Sequence, residues 1–298
     1  MLKALDNCRI CPRNCGVNRN HTAGYCRSGT ALRINTWQKH YGEEPFISGT
    51  AGSGTIFFSG CNLSCCFCQN YQISQLDHGK DYSIDQLAEI MLSLQQDGAH
   101  NINLVTPTHF SPQIAEALLL ARKLDLHIPV VWNSNAYEKE ETLKSLKGLI
   151  NIYLADFKYA SEASALKYSA APDYFRHATN AISEMYRQTG DIALDANDIA
   201  LSGLAVRILV LPRDIINLEN IIKWLAENIG NQLYISLMSQ YYPSWQAEHF
   251  PETARSLTFD EYEEAISIVK KYGFENCLIQ ELSPSSEWTP DFKIVEET

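Results

Sequence analysis

With 298 residues, 45% of them hydrophobic and 20% charged, the chain can bury a full core, as one large domain or as one domain with a small appendage. No apolar run approaches the roughly 18 residues of a membrane span, and a formal net charge of -11 argues against a general binder of nucleic-acid backbones, whose affinity comes from excess Lys and Arg. The start, MLKALDNCRICPRNC, lacks the apolar stretch and cleavage site of a signal peptide, so a cytoplasmic setting with reduced cysteines is expected. In such a setting clustered cysteines read as metal ligands or reactive thiols rather than disulfide partners.

Eight of the nine cysteines precede residue 69. Residues 1–50 are rich in Cys, Arg, Asn and Gly with weak periodicity, the composition of a small extension held by a metal rather than by a core. Within it Cys8, Cys11, Cys15 and Cys26 follow C-x2-C-x3-C-x10-C, a complete four-thiolate set that suits structural zinc or an iron-sulfur cluster equally, with four unliganded cysteines as the plain alternative. CRICPRNCGVNR is also the one local basic stretch that could serve as a patch.

The second unit, residues 51–298, opens with the strand GTIFFSG (54–60), which runs into the cysteine loop CNLSCCFCQN. SIDQLAEIMLSLQQDG (83–98) predicts a helix with Ser83 as N-cap and Gly98 closing it. Strands are predicted at 101–107, 128–134, 150–158, 204–212 and 233–239, and helices at 112–124, 139–148 and 218–230. A last helix and a strand-like segment fill 257–280, and 160–200 reads as an irregular helical insertion placed to cover a site. This alternation predicts an α/β fold with a parallel sheet, a partial six-unit (β/α) barrel of the TIM type with a Cys-rich extension. In such folds reactive groups gather at the C-terminal ends of the strands.

Directly after the first predicted strand, Cys61, Cys65 and Cys68 fall in C-x3-C-x2-C. Three thiolates can hold a 4Fe-4S cluster while leaving one iron open to a ligand. The competing reading is a tetrahedral zinc site from Cys61, Cys65, Cys66 and Cys68. Adjacent Cys65 and Cys66 point in different directions, so Cys66 is expected to pack beneath the loop as a small hydrophobe.

The loop, with Phe67 as its aromatic, resembles the radical S-adenosylmethionine (SAM) superfamily, and its strand and α/β surroundings extend the resemblance over most of residues 50–245. The resemblance implies that the open iron binds the amino and carboxylate groups of SAM and that an electron from the cluster splits SAM to a 5'-deoxyadenosyl radical, which abstracts hydrogen. It places Thr106, Pro107 and Thr108 of VTPTH where the family often has Gly-Gly-Glu to receive the SAM amine. NSNAY, with Asn133 and Asn135, and DFK, with Asp156 and Lys158, resemble segments of pyruvate formate-lyase activating enzymes that hold SAM, although a solvent-facing ion pair is the plain reading of Asp156 and Lys158. Together with CRICPRNCGVNR and GYCRSG, the resemblance to that branch runs over about residues 8–280.

It implies a reducing donor such as flavodoxin or ferredoxin, and a substrate that the sequence leaves open. One version activates a glycyl-radical enzyme, and another modifies a peptide or small molecule. The reading from a different class is a non-catalytic iron-sulfur protein for electron transfer or redox sensing. Arg207, Gln240 and Tyr241 are expected to close the pocket, with core packing an equal reading for Tyr241. His109 is either a proton carrier or a hydrogen-bonded structural residue. No nucleic-acid or membrane partner is expected.

Overall fold

The computed structural model describes residues 1–282 together with Ser285, Pro290 and Phe292. In chain order, β1 (Leu32–His40) is followed by a single turn, α1 (Pro45–Ser48), and by β2 (Ser53–Phe58), which pairs antiparallel with β1 from Ile34–Phe58 to His40–Ser53. After α2 (Tyr71–Ser74), β3 (Lys80–Tyr82) adds to the free edge of β1.

Regular strand and helix units follow. α3 (Ile84–Gln96) starts at Ser83, whose hydroxyl accepts from the Gln86 N–H while the Gln86 side chain returns to the Ser83 N–H, satisfying two otherwise orphaned donors. The remaining elements are β4 (Ile102–Val105), α4 (Ser111–Lys123), β5 (Val130–Ser134), α5 (Glu140–Ser145), β6 (Ile152–Asp156), α6 (Glu162–Ser169), α7 (Tyr174–Thr189), β7 (Ala193–Leu194), β8 (Ala200–Leu209), α8 (Ile215–Asn228), β9 (Tyr234–Met238), α9 (Phe259–Lys271) and β10 (Cys277–Ile279).

The sheet runs β10-β9-β8-β6-β5-β4-β2-β1-β3, parallel from β10 to β2 and antiparallel beyond it, with β7 paired to β8 off this path. It is an open, partial barrel, and the six predicted parallel strands are its body. β4 and β5 are buried at every position, as strands covered on both faces must be. Outward-facing Leu104, Trp132 and Tyr153 pack in the helix-side core, whereas Val131, Ile152, Leu154 and Ala205 face inward and meet Phe46 and Ile47 of α1. The turn α1 therefore fills the N-terminal half of the barrel, and the Asn101 amide donates to the Ile47 carbonyl to hold it there.

Two expectations need correction. Residues 32–48 are not part of a metal-held knuckle: β1 is a full member of the sheet, and a boundary at residue 50 falls between two hydrogen-bonded strands. The signal was present in Leu32 and Ile34, an alternation buried on the helix side of the sheet and hidden by the polar residues around it. The stretch 160–200 is not irregular either. α7 buries Tyr174, Ala178, Ala181, Ile182 and Met185 on one face and packs on β6, β8 and α5 as the crossover from β6 to β8. Among the described residues no helix is long and apolar enough to cross a membrane.

Candidate cofactor site at the barrel mouth

β2 delivers the chain to Gly60, at φ +82, where an added Cβ would meet the Cys26 carbonyl oxygen at 2.5 Å. Only glycine fits this conformation and this approach. The loop beyond it carries Cys61, Cys65 and Cys66, all buried, and half-buried Cys68. Each of the three thiols in the C-x3-C-x2-C spacing has a polar partner. Cys61 Sγ accepts from the Leu63 N–H at 3.3 Å and the Asn135 amide at 3.5 Å. Cys65 Sγ accepts from Ser169 Oγ at 2.9 Å, and Cys68 Sγ lies 3.1 Å from Ser74 Oγ.

Burial, together with the neighbouring thiols, pushes Cys61 up to about 12 and Cys68 up to about 11. Burial also raises Cys65, against the opposing pull of the Lys158 ammonium. Such thiols ionise when a metal takes the place of the proton, and the donors aimed at sulfur then stabilise thiolates. Burial and the adjacent Cys65 raise Cys66, whose thiol finds its side-chain partner in Thr253. The loop thus presents three thiols with donors and a nearby cation, a donor set that fits a cluster held by three cysteines. Among the described residues no three His, Cys, Asp or Glu side chains are arranged to hold a single metal ion.

Below the loop the barrel interior turns polar. Arg207 on β8 donates from Nε to Asp156 Oδ1 at 2.7 Å, from Nη1 to Glu43 Oε2 at 3.0 Å and from Nη2 to Asn133 Oδ1 at 2.6 Å. Lys158 Nζ donates to Asp156 Oδ2 at 2.9 Å. Burial alone would raise Asp156, but Arg207 and Lys158 outweigh it and hold the carboxyl below its ordinary value. For Lys158, burial opposes the charge and the nearby Asp156 carboxylate more than restores it. The pair points inward, not to solvent, because these residues sit where β6 and β8 present their inner faces in register, Asp156 opposite Arg207.

The remaining sequence candidates divide. Asn135 links the loop, donating to Cys61 Sγ and to Asn62 Oδ1. Asn133 belongs to the Arg207 network. Phe67 is buried edge-on against Tyr241 at 5.9 Å, and Tyr241 is itself a core residue whose hydroxyl donates to the Thr253 carbonyl. Thr106 has φ +55, a left-handed backbone that a β-branched residue adopts only under constraint, with its N–H bound to the Asn133 carbonyl.

Thr108 is fully buried, and its hydroxyl is committed to Glu138 Oε1, which also accepts from Trp132 Nε1 and Ser134 Oγ. Its hydroxyl is not presented at the mouth. His109 is buried, bonded through Nε2 to the Ser59 carbonyl, and pushed down to about 3 by that burial, so it is the structural residue and not a proton carrier. Gln240 is tied to Gln280 at 3.0 Å.

Sequence reasoning missed Glu43, whose carboxylate reaches Asn103, Asn133 and Arg207. The only signal was a Glu-Glu-Pro run before the turn α1. It also missed Ser74 and Ser169, which partner the loop sulfurs. Beside the mouth, Phe292 packs with Phe57, Ile73 and Val105, and its N–H donates to Gln72 Oε1 at 2.9 Å.

The N-terminal cysteines form a second group. The Cys11 thiol, pushed up to about 12 mainly by burial, also feels Cys26, Cys8 and Cys15. A Cβ on Gly24 would lie 3.4 Å from Cys15 Sγ and 3.8 Å from Cys26 Sγ.

Comparison with known proteins matches residues 55–225 to the family described as the Radical SAM superfamily. The uncharacterized protein MJ0674 of Methanocaldococcus jannaschii is 32% identical over 279 residues, 90% of this chain and 76% of the relative. Among solved structures, native anSMEcpe with bound AdoMet and Cp18Cys peptide aligns with TM-score 0.51 and 13% identity, covering 74% of this chain and 60% of that one. Streptococcus suis SuiB bound to S-adenosylmethionine aligns with TM-score 0.50 and 11% identity, over 74% and 48% of the two chains. The chain thus spans about half to three fifths of these two structures, and at such identities the likeness is one of fold.

Proposed function

The chain belongs to the radical SAM superfamily, and on that premise we propose that it is an enzyme that cleaves SAM reductively and uses the radical to take a hydrogen atom from its substrate. One observation carries the reading: three thiols, two buried and one half-buried, each with its own hydrogen-bond partner, beside the inward Lys158–Asp156 pair at the C-terminal ends of the strands. Cys61, Cys65 and Cys68 would hold a 4Fe-4S cluster, which when bound would supply the reducing electron.

The chain's own part is to bind and orient. Asn135, Ser169 and Ser74 hydrogen-bond the thiolates, and Lys158 offsets their charge. The Thr106 backbone, turned into its left-handed conformation, receives the SAM amine, while Lys158 and Asp156 take the carboxylate and ribose region and Asn133 supports them from the Arg207 network. Phe67, packed on Tyr241, stiffens the loop from beneath. Cys8, Cys11, Cys15 and Cys26 would take zinc or a second iron-sulfur cluster only on closing together, since as they stand no three side chains among the described residues are arranged to hold a single ion.

A flavodoxin or ferredoxin supplies electrons in this reading. The hydrogen donor is a polypeptide or a small molecule, with a glycyl-radical enzyme as the first substrate to test, on the strength of the resemblance to activating enzymes.

Anaerobic reconstitution followed by reduction and SAM addition is the test, with 5'-deoxyadenosine as the product read. Its complete absence under strong reduction, in protein that holds the cluster, overturns the catalytic reading in favour of electron transfer. A backbone radical on a co-incubated glycyl-radical enzyme, seen by electron paramagnetic resonance, supports the activating role, and its absence with active SAM cleavage removes that enzyme as substrate.

A further inference from the structure

We propose that the N-terminal cysteine segment is a clamp on the catalytic loop, in which Arg13, Tyr25 and Arg27 are positioning residues for all three loop thiols; this rests on the cluster reading above. The segment that carries Cys8, Cys11, Cys15 and Cys26 packs against the back of the loop, and a Cβ on Gly60 would come within 2.5 Å of the Cys26 carbonyl oxygen. This approach lies one residue before Cys61.

Each thiol is reached from this segment in one or two steps. Arg13, between Cys11 and Cys15, donates from Nε to the Asn62 carbonyl at 2.7 Å and from Nη1 to the Ala170 carbonyl at 2.6 Å. Asn62 follows Cys61, and its Oδ1 takes the same Asn135 amide that reaches Cys61 Sγ. Ala170 follows Ser169, the donor to Cys65 Sγ. One fork therefore grips the backbone beside two thiols. Tyr25, next to Cys26, shares a hydrogen bond of 2.8 Å with Ser64, which precedes Cys65, and its ring lies 3.7 Å under the Arg13 guanidinium. Arg27, on the other side of Cys26, donates to the carbonyl of Ser74, the residue whose hydroxyl partners Cys68 Sγ.

The backbone of the segment is set for these contacts. Asn14, just before Cys15, and Arg27, just after Cys26, both take left-handed conformations, φ +46 and +62. Such conformations persist where the surroundings over-determine them. The segment's own apolar cluster is small, Leu5, Cys8 and Ile10 with Val17 against them. What fixes the four cysteines thus also fixes the arginines between and beside them, and through these the loop. Outer partners of metal ligands act in this way, by restricting where the ligand atoms can sit.

Arg13→Lys and Arg27→Lys keep the charge but cannot reproduce a planar fork or its reach. The reconstituted variants are compared with wild type in chelator resistance of the cluster and in the change of the reduced-cluster magnetic resonance spectrum on SAM addition, a change that reports the loop cluster and not a second one. The expected result is a cluster stripped at roughly 10-fold lower chelator concentration and an altered SAM-dependent spectrum, at a melting temperature close to wild type.

Cys8→Ser combined with Cys11→Ser should weaken the loop cluster in the same way. Chelator resistance and spectra equal to wild type in both lysine variants overturn the clamp while leaving the cluster assignment intact. Wild-type protein that takes up no 4Fe-4S cluster overturns that assignment, and the clamp with it. Should the lysine variants fail to fold, Tyr25→Phe removes only the hydroxyl shared with Ser64 and is read by the same two measurements.

Discussion

Replacing Arg207 by Met tests whether the polar barrel interior is held by a single cation. The Arg207, Glu43 and Asp156 side chains are 14%, 10% and 19% exposed, and the ion pairs measure 3.0 and 2.7 Å. Methionine keeps the bulk and removes the charge. Asp156 is then left with Lys158, and Glu43 with the amides of Asn103 and Asn133. Breaking a buried pair by deleting one partner costs about 3–5 kcal/mol. At about 2 °C per kcal/mol for a chain of this size, the melting temperature should fall by roughly 6–10 °C.

The loss also carries a pH signature. In the wild type the Asp156 carboxyl sits below its ordinary value, because Arg207 and Lys158 outweigh burial, so its contribution is present above about pH 4 and lost as pH falls through the lowered value. Without Arg207 the burial penalty is less opposed and the carboxyl rises. The deficit of the variant should therefore be widest near neutral pH and narrow towards pH 4 as protonation relieves the uncompensated charge. Adding Glu43→Gln to Arg207→Met removes the carboxylate left without a counter-ion and should recover about 1–3 kcal/mol. Thermal melts of both variants between about pH 4 and 8 provide the measurement. A single variant as stable as wild type, or a double variant no more stable than the single, refutes the account.

Three further outcomes are expected. Cys66→Ala should keep the iron content and visible spectrum of the wild type and lose about 1 kcal/mol in a denaturant titration, the value of a small buried group; loss of iron would mean that Cys66 is a ligand. Glu138→Gln should flatten the fall in stability that begins as pH rises above the ordinary glutamate value. Burial raises the Glu138 carboxyl against the donors Ser134, Trp132 and Thr108, so the native protein loses stability as pH rises through that raised value, whereas glutamine keeps the accepting oxygen without the charge. An unchanged pH profile would refute it. Ser169→Ala, which removes the donor to Cys65 Sγ, should lower the cluster midpoint potential in anaerobic redox titration, because a thiolate that has lost a hydrogen bond disfavours the added electron. An equal or higher potential would remove Ser169 from the site.

Much of this was readable because it rests on local pattern. Strands β2, β4, β5, β6, β8 and β9 appear as apolar runs at regular spacing, and Ser83 opens α3 with a capping box that needs no tertiary information. β1 escaped because its buried apolar residues, Leu32 and Ile34, stand among Arg33, Asn35, Thr36 and Gln38, and because cysteines nearby suggested a metal-held segment. α6 and α7 were legible only as one irregular helical stretch, because scattered alanines and tyrosines, and a break in periodicity around Ala171 and Pro172, obscured two amphipathic faces.

The sequence by itself determined the family, the partial barrel and the three-cysteine loop, since these depend on spacing along the chain and on alternation of strand and helix. Only the tertiary structure decided which side chains surround that loop. Glu43 reaches Arg207 from 164 residues away, Ser169 reaches Cys65 across 104, and Arg13 reaches Ala170 across 157. Such partners leave no trace in local periodicity. They follow from the inward register of adjacent strands and from the close approach at Gly60, where the absence of a side chain lets the N-terminal segment lie against the loop.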